Sequence, residues 1–312
     1  LCIRYGKYNR SMRPQFRWQL RNRALDLGTR TLIMGVLNVT PDSFSDGGEF
    51  LEPQRAIAHG LRLLDEGADI LDIGGESTRP GTTVGGDEST ADAAVTEEEE
   101  LRRVMPVLEN IRKQRPESIL SIDTYKSGVA QRAVEAGAEI VNDVSALLWD
   151  ARMASVCAGL CCGVILMHTR GRPSEWRHLA VETDVTAMVI RDLESRVQVA
   201  LDSGISRQNM VLDPGFGFGK RNEENYSLLA NLQGLQRLGF PVLAGTSRKS
   251  FIGRSIDKRR GGEEAEPCDR LYGSLAAMVA SILSGAHIAR VHDVAPAVEA
   301  AAIADEVLAA GR

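Results

Sequence analysis

Ile33-Met-Gly-Val-Leu-Asn-Val-Thr-Pro-Asp-Ser-Phe-Ser-Asp-Gly-Gly48 is the stretch whose reading decides the fold. An apolar run from Leu32 to Leu37 stops at Asn38, and a segment of Thr40, Pro41, Asp42, Ser43, Ser45, Asp46, Gly47 and Gly48 follows. A short apolar run bounded by turn residues is the pattern of a buried strand whose end opens into a loop. Taken alone, it is an ordinary strand-to-helix connection. The same grammar, however, returns seven more times downstream.

The seven are Asp69–Ile73, Ile119–Ile122, Glu139–Val141, Gly163–Met167, Met210–Leu212, Pro241–Ala244 and His287–Val291. Helical spacing separates them. A helix at 53–66 carries Ile57, Leu61 and Leu64 on one face, and Thr96 with Glu99 makes a capping-box start for a helix ending near Arg112. Further helices are predicted over 126–136, 150–160, 223–237 and 270–284, with another carrying Val185, Met188, Val189, Leu193, Val197 and Leu201. A last one, 294–310, is expected to turn Val298, Ile303 and Val307 inward. Strand–helix alternation forces parallel strands with right-handed crossovers, and eight such units close a (β/α)8 TIM barrel. A doubly wound open sheet is the competitor, but its glycine-rich dinucleotide turn after the first strand is missing. Gly215-Phe-Gly-Phe-Gly-Lys220 lacks that spacing, and Arg221 stands where a phosphate loop needs Ser or Thr.

The chain has 312 residues, 43% hydrophobic and 25% charged, enough for a large core in one domain. No apolar run approaches the roughly 20 residues of a membrane span, and no apolar stretch before residue 32 resembles a secretory signal, so a cytoplasmic protein is expected. The net charge of −5 is uneven: residues 1–30 hold eight Lys or Arg against Asp26 alone, leaving 29 basic and 41 acidic residues beyond. Residues 1–24 read as a basic, poorly ordered arm, and 25–312 as the barrel, with Leu25–Arg30 a lead-in ribbon closing one end. Nucleic-acid binding by the arm finds no supporting motif. Thr82–Val95 reads as a long loop. The five cysteines, Cys2, Cys157, Cys161, Cys162 and Cys268, show no metal spacing and suit a reducing compartment.

Active sites of such barrels lie at the C-terminal ends of the strands. The residues leaving the strands here are Asn38, Glu76 to Arg79, Asp123, Asn142 and Asp143, His168, Asp213, Ser247 to Lys249, and Arg290 with His292. One of them would be a helix cap; polar groups on every strand at the same end are a site. Asp123, Asn142, Asp213 and Lys249 can read the edge of a flat, nitrogen-rich heterocycle, since a carboxylate meets a two-donor amidine edge through parallel hydrogen bonds. Arg79, Arg248, Arg290 and His292 suit phosphate groups. Asn38 with Asp42 or Asp46 offers hard oxygens for Mg2+. Together these suggest a heteroaromatic substrate with a phosphorylated tail.

Asn38-Val-Thr-Pro-Asp-Ser-Phe-Ser-Asp46, Asp72-Ile-Gly-Gly-Glu-Ser-Thr-Arg-Pro-Gly81, Ser121-Ile-Asp-Thr124, Asn142-Asp-Val144, Asp213-Pro-Gly-Phe-Gly-Phe-Gly-Lys220, Thr246-Ser-Arg-Lys-Ser-Phe-Ile-Gly253 and Arg290-Val-His-Asp-Val294, in that order, closely resemble the dihydropteroate synthases of bacterial folate biosynthesis. The resemblance runs from about Leu25 to the C-terminus. It implies condensation of 6-hydroxymethyl-7,8-dihydropterin pyrophosphate with para-aminobenzoate, releasing pyrophosphate, in a family targeted by sulfonamides. It also implies that Asp123, Asn142, Asp213 and Lys249 hold the pterin, with Met167 lining its slot. Asn38, Thr78, Arg79, Arg290 and His292 would take the pyrophosphate, with Mg2+ near Asn38. Phe44, Thr78, Arg79, Pro80, Ser247 and Lys249 would build the arylamine site. The catalytic set is then Asn38, Asp123, Lys249, Arg290 and His292. The loop from Thr40 to Gly48 would close over the pyrophosphate and bring Phe44 to the amine.

The rivals are a pterin-binding methyltransferase barrel and a non-catalytic pterin-binding relative. The first needs no pyrophosphate site, and the second should have lost Asp123, Lys249 or Arg290. Small residues along 270–284 (Gly273, Ser274, Ala276, Ala277, Ala280, Ser281, Ser284) permit close packing on the barrel or a homodimer contact, and the family suggests the latter.

Overall fold

The computed structural model describes residues 13–40, 52–77, 95–262 and 265–311. The chain enters through an antiparallel hairpin, β1 (Phe16–Gln19) and β2 (Ala24–Leu27). Eight parallel strands follow: β3 (Leu32–Asn38), β4 (Ile70–Gly74), β5 (Ile119–Asp123), β6 (Ile140–Asp143), β7 (Gly163–Met167), β8 (Met210–Asp213), β9 (Leu243–Ala244) and β10 (Ile288–Val291). Helices α1 (Glu52–Asp65), α2 (Glu97–Gln114), α3 (Ser127–Glu135), α4 (Met153–Leu160), α5 (Val185–Asp202), α6 (Asn222–Ala230), α7 (Ser250–Arg260), α8 (Leu271–Leu283) and α9 (Val294–Ala310) alternate with them. Strands β3 to β8 pair in sequence order, and β10 lies between β3 and β9. A single bridge, Leu212 to Val242, joins β8 to β9 and closes the ring, beside the bond from Leu212 N–H to the Pro241 carbonyl (3.0 Å). This is the (β/α)8 barrel expected from the strand count.

The period of two along each strand divides the core. Ile33, Leu37, Leu71, Ile73, Leu120, Ile122 and Val141 belong to the large cluster under the helices. Their neighbours Met34, Ile70, Ile140, Ile165, Val211, Leu243 and Ile288 form a second cluster inside the ring. Side chains that alternate with one buried set must face the other way. The next inward positions toward the strand ends are Asp72, Asn142, Met167, Asp213 and Arg290. The barrel interior is therefore hydrocarbon in its lower layer and polar above.

The hairpin plugs the apolar end, and here the expected arm requires correction. Residues 1–12 lie outside the described residues, but 13–24 are not a solvated leader. Trp18 and Leu20 are fully buried and join the inner cluster with Leu27. Burying each such side chain stabilises by about 1.5–3 kcal/mol. The Trp18 indole donates to the Asn209 carbonyl (2.8 Å). The basic residues are fasteners: Arg13 donates to the Thr31 hydroxyl (2.8 Å), the Ala286 carbonyl (3.0 Å) and Asp305 (2.9 Å), while Arg21 reaches the Val134 carbonyl (2.8 Å).

Three helical details also differ. The segment read as one helix over 223–237 is α6 followed by a 3-10 turn, Leu232–Leu238. Periodicity does not anticipate α7, whose last turn holds Lys258, Arg259 and Arg260 before Gly261 ends it at φ 92°. In α9 the buried face is Val294, Ala297, Ala301 and Ala304, while Ile303 and Val307 are exposed. Alanines at helical spacing let α9 approach closely, which turns the larger residues outward. The start of α2 is as read: Thr96 Oγ1 accepts from the Glu99 N–H (3.2 Å).

Candidate active site

The polar inner layer is a hydrogen-bonded group spanning the barrel mouth. Asp72 on β4 is its centre and is fully buried. Its Oδ2 accepts from Arg290 Nε (2.6 Å) on β10 and from Asn142 Nδ2 (2.9 Å) on β6. Its Oδ1 has no hydrogen-bond partner among the described residues. Arg290 also donates through Nη2 to Asp123 Oδ2 (2.5 Å) at the end of β5. One guanidinium thus spans two carboxylates, using separate nitrogens of its planar fork for each. Burial works against the Arg290 charge, but Asp72 and Asp123 more than offset it and hold the group protonated.

Asp123 lies deep in the mouth although 24% of its side chain still meets solvent. Burial pushes its pKa up to about 7, helped by the nearby Asp72 charge and opposed by Arg290. Asp213 at the end of β8 is likewise raised to about 6 by burial, opposed by the Gly215 N–H, which its Oδ1 accepts at 2.7 Å, and by Lys249. The bond requires the chain to fold back at Gly215, which sits at φ 65° where a Cβ would run into the His168 carbonyl. Asn142 is buried, and Met167 lies with Tyr125, Val144, Trp149 and Phe218 in an apolar wall beside it. The Lys249 ammonium stands 4.1 Å from the centre of the Phe218 ring.

After β9 the backbone turns sharply. Arg248 adopts φ 58°, a left-handed conformation costly for a side-chain-bearing residue. Its surroundings hold it there. Its N–H donates to Ser274 Oγ (2.8 Å), its carbonyl accepts from Arg270 (3.1 Å), and its guanidinium pairs with Asp293 (2.6 Å). Arg248, counted in the sequence among phosphate-directed cations, instead faces Asp293. The turn places Ser247 against His292, with Oγ accepting from the His292 N–H (3.2 Å) and lying 3.0 Å from Nδ1.

Asn38 ends β3 opposite Gly74, half-buried at the same rim. Asp123, Asn142, Met167, Asp213, Ser247, Lys249, Arg290 and His292 share that end of the ring. Phe44, Thr78, Arg79 and Pro80 lie outside the described residues, as do Asp42, Asp46, the rest of the proposed lid to Gly48, and 82–94. Where the chain leaves β4, Lys126 bonds both Glu76 and Glu100 (2.5 Å each), and Tyr125 donates to Glu76 (3.2 Å). Asp143 is no substrate group. Its oxygens accept from Ser145 and the Leu147 N–H and fix the turn after β6.

Asp72, the centre of the hydrogen-bonded group, is not among the candidates that the sequence reading names. The signal was available: a carboxylate inside Ile70-Leu-Asp-Ile73 must be buried, and a buried charge needs partners.

Residues 34–292 match the pterin binding enzyme family. The dihydropteroate synthase of Bacillus subtilis is 41% identical over 288 residues, covering 92% of each chain. The structure of Xanthomonas albilineans dihydropteroate synthase with 4-aminobenzoic acid superposes with a TM-score of 0.83 at 44% identity, covering 95% of this chain and 99% of that one. That of the Yersinia pestis enzyme in a sulfonamide complex gives 0.83 at 39% identity, covering 95% and 100%.

Proposed function

From the membership of this chain in the pterin-binding enzyme family, and from its activity as a dihydropteroate synthase, a transferase of folate biosynthesis, we propose how its residues divide the work. The observation that carries the proposal is the inward-facing group of Asp72, Asp123, Asn142, Asp213 and Arg290 at one end of the ring. A pterin presents an amidine edge and a lactam. Asp123 and Asp213 are the acceptors for its donors, Asn142 supplies both donor and acceptor, and Lys249 donates to the remaining ring acceptor. Met167 and Phe218 provide apolar faces for the flat ring.

The leaving group is a pyrophosphate. Asn38, Thr78, Arg79, Arg290 and His292 are assigned to it, with His292 held by Ser247. The carboxamide oxygen of Asn38 is a hard donor at the rim and fits Mg2+, which keeps several waters and takes few protein ligands. Bound there, the ion would offset charge developing on the departing pyrophosphate. Among the described residues no group of three or more His, Cys, Asp or Glu gathers for a metal; Asp42 and Asp46, the other oxygen ligands proposed beside Asn38, lie outside them.

The chemistry asks little of acids and bases. Pyrophosphate leaves, the electron-rich pterin stabilises the cationic methylene, and the neutral amine of para-aminobenzoate attacks it and then loses a proton. The tasks for the protein are to neutralise the leaving group, align the amine and keep water out. Phe44, Pro80, Ser247 and Lys249 are proposed for the arylamine. We place the enzyme in the cytoplasm; no helix among the described residues is long and apolar enough to cross a membrane. A homodimer through α8 is supported by exposed Tyr272 and Leu283, with Ile303 and Val307 on the adjoining α9.

The test is an assay with the pterin pyrophosphate, para-aminobenzoate and Mg2+. Pyrophosphate release that depends on the arylamine is expected. Its absence from folded protein would defeat the reading.

A further inference from the structure

Lys220 is a fully internal lysine that the reaction outlined above does not use. Only 7% of it is exposed, and no carboxylate among the described residues bonds it. Its ammonium instead donates to the carbonyls of Gly215 (2.7 Å) and Phe218 (3.2 Å), approaches that of His168 (3.4 Å), and lies 2.9 Å from His168 Nδ1. Burial lowers the Lys220 pKa to about 7; in its charged form the amine has no lone pair, so Nδ1 is then the acceptor and the imidazole proton sits on Nε2. Nε2 then donates to Asp192 Oδ2 (3.3 Å) on α5. The chain Asp192–His168–Lys220 runs from a half-exposed carboxylate into the floor of the mouth.

The segment Pro214–Gly219 curls around this ammonium with the carbonyls of Gly215 and Phe218 turned inward. Gly215, Gly217 and Gly219 have φ of 65°, 84° and 66°, and these alternate left-handed residues let the peptides tilt toward one centre. The outward N–H groups are then free for other work. That of Gly215 fixes Asp213 (2.7 Å), and that of Gly217 is taken by Asn225 (2.6 Å). The same curl sets the Phe218 ring beneath Lys249. Without the cation, the carbonyls of His168 and Phe218 would lose this donor and that of Gly215 would keep only the Phe218 N–H (3.2 Å), an arrangement that loosens the loop.

We propose that Lys220, buttressed by His168 and Asp192, is a positioning residue for pterin recognition. It acts as an internal cation around which the loop after β8 folds so that Asp213 and Phe218 present the correct face. It touches no substrate itself. The proposal rests on the reading of Asp213 as a pterin ligand.

Lys220→Met tests it, with 6-hydroxymethylpterin as the calorimetric probe and steady-state kinetics alongside. Pterin affinity is expected to fall at least tenfold, and the KM for the pterin pyrophosphate to rise by a similar factor. The KM for para-aminobenzoate should rise severalfold less than that for the pterin pyrophosphate, since the curl reaches the arylamine side only through Phe218 beneath Lys249. His168→Leu, which removes one acceptor and leaves the ammonium, should weaken the probe three- to tenfold. It decides the matter if Lys220→Met does not fold. Pterin affinity within twofold of wild type in the folded variants overturns the proposal, as does an equal loss for both substrates, which would mark a purely structural lysine. Wild-type protein that releases no pyrophosphate would instead overturn the parent reading.

Discussion

Replacing Asp72 by Asn separates a working polar layer from an ornamental one. In the native mouth, Asp72 Oδ2 accepts from Arg290 Nε at 2.6 Å and from Asn142 Nδ2 at 2.9 Å. An asparagine keeps one acceptor oxygen for these two donors, and its own amide brings two further N–H groups among them. Removing one member of a buried ion pair costs about 3–5 kcal/mol when the survivor is left uncompensated. Arg290 here retains Asp123, so the expected loss is smaller, about 2–3 kcal/mol. At roughly 2–4 °C per kcal/mol for chains of this order, the melting temperature should fall by about 5–10 °C. Urea denaturation and scanning fluorimetry read both numbers. Asn142 loses a fixed neighbour and Arg290 swings toward Asp123, so pterin affinity should fall about tenfold. A variant within 0.5 kcal/mol of wild type that binds pterin unchanged would refute the claim that Asp72 organises the mouth.

Burial raises the carboxyls of Asp123 to about 7 and Asp213 to about 6, so each takes up a proton as pH falls through its value. On the proposed reading, in which the ionised forms accept from the pterin, affinity for 6-hydroxymethylpterin should decline below pH 7 by up to tenfold per unit, and more steeply below 6. Calorimetry showing constant affinity from pH 5 to 8 would contradict this. Because both folded values exceed 3.8, the folded chain holds more protons than the unfolded one in that window, and these two groups lower stability as pH rises from about 4 to 7. Trp18→Ala should cost about 3–5 kcal/mol by opening a cavity at the closed end, with both KM values unchanged; a shift in either KM would show coupling through the barrel. Lys249→Ala should weaken pterin binding, whereas Phe44→Ala should chiefly raise the arylamine requirement. Equal effects on both substrates would overturn that division of the site.

The barrel was legible because each strand is a short apolar run closed by a polar residue, and the ends of those runs named Asp123, Asn142, Asp213 and Arg290. Asp72 was not legible in the same way, since it lies two residues inside its strand rather than at the end. The alternation that turns it inward emerges only when Ile70, Ile140, Ile165 and Val211 are seen together in one cluster. The hairpin was hidden by its charges. Phe16, Trp18 and Leu20 alternate as a strand should, but Arg13, Arg21 and Arg23 around them read as solvated until their partners on the barrel are known. In α7, Phe251, Ile252 and Ile256 make too narrow a stripe for periodicity, and the Lys258–Arg260 cluster with Gly261 is the better signal. Arg248 faces Asp293 because a left-handed residue redirects the chain, and no residue-type pattern reports that turn.

The ring is stitched unevenly. β3 and β4 share five register pairs, whereas β8 and β9 share a single bridge. Local opening follows the fewest hydrogen bonds, so the backbone amides along this seam should exchange with solvent before those of the other staves. The seam divides Asp213, on the β8 side, from Ser247 and Lys249, on the β9 side. A heterocycle gripped by Asp213 and Lys249 at once bridges the two edges from above and acts as the missing stitch. Occupancy of the mouth would then appear as slowed deuterium uptake around Leu212 and Leu243, a signature of clasping that involves no change of shape.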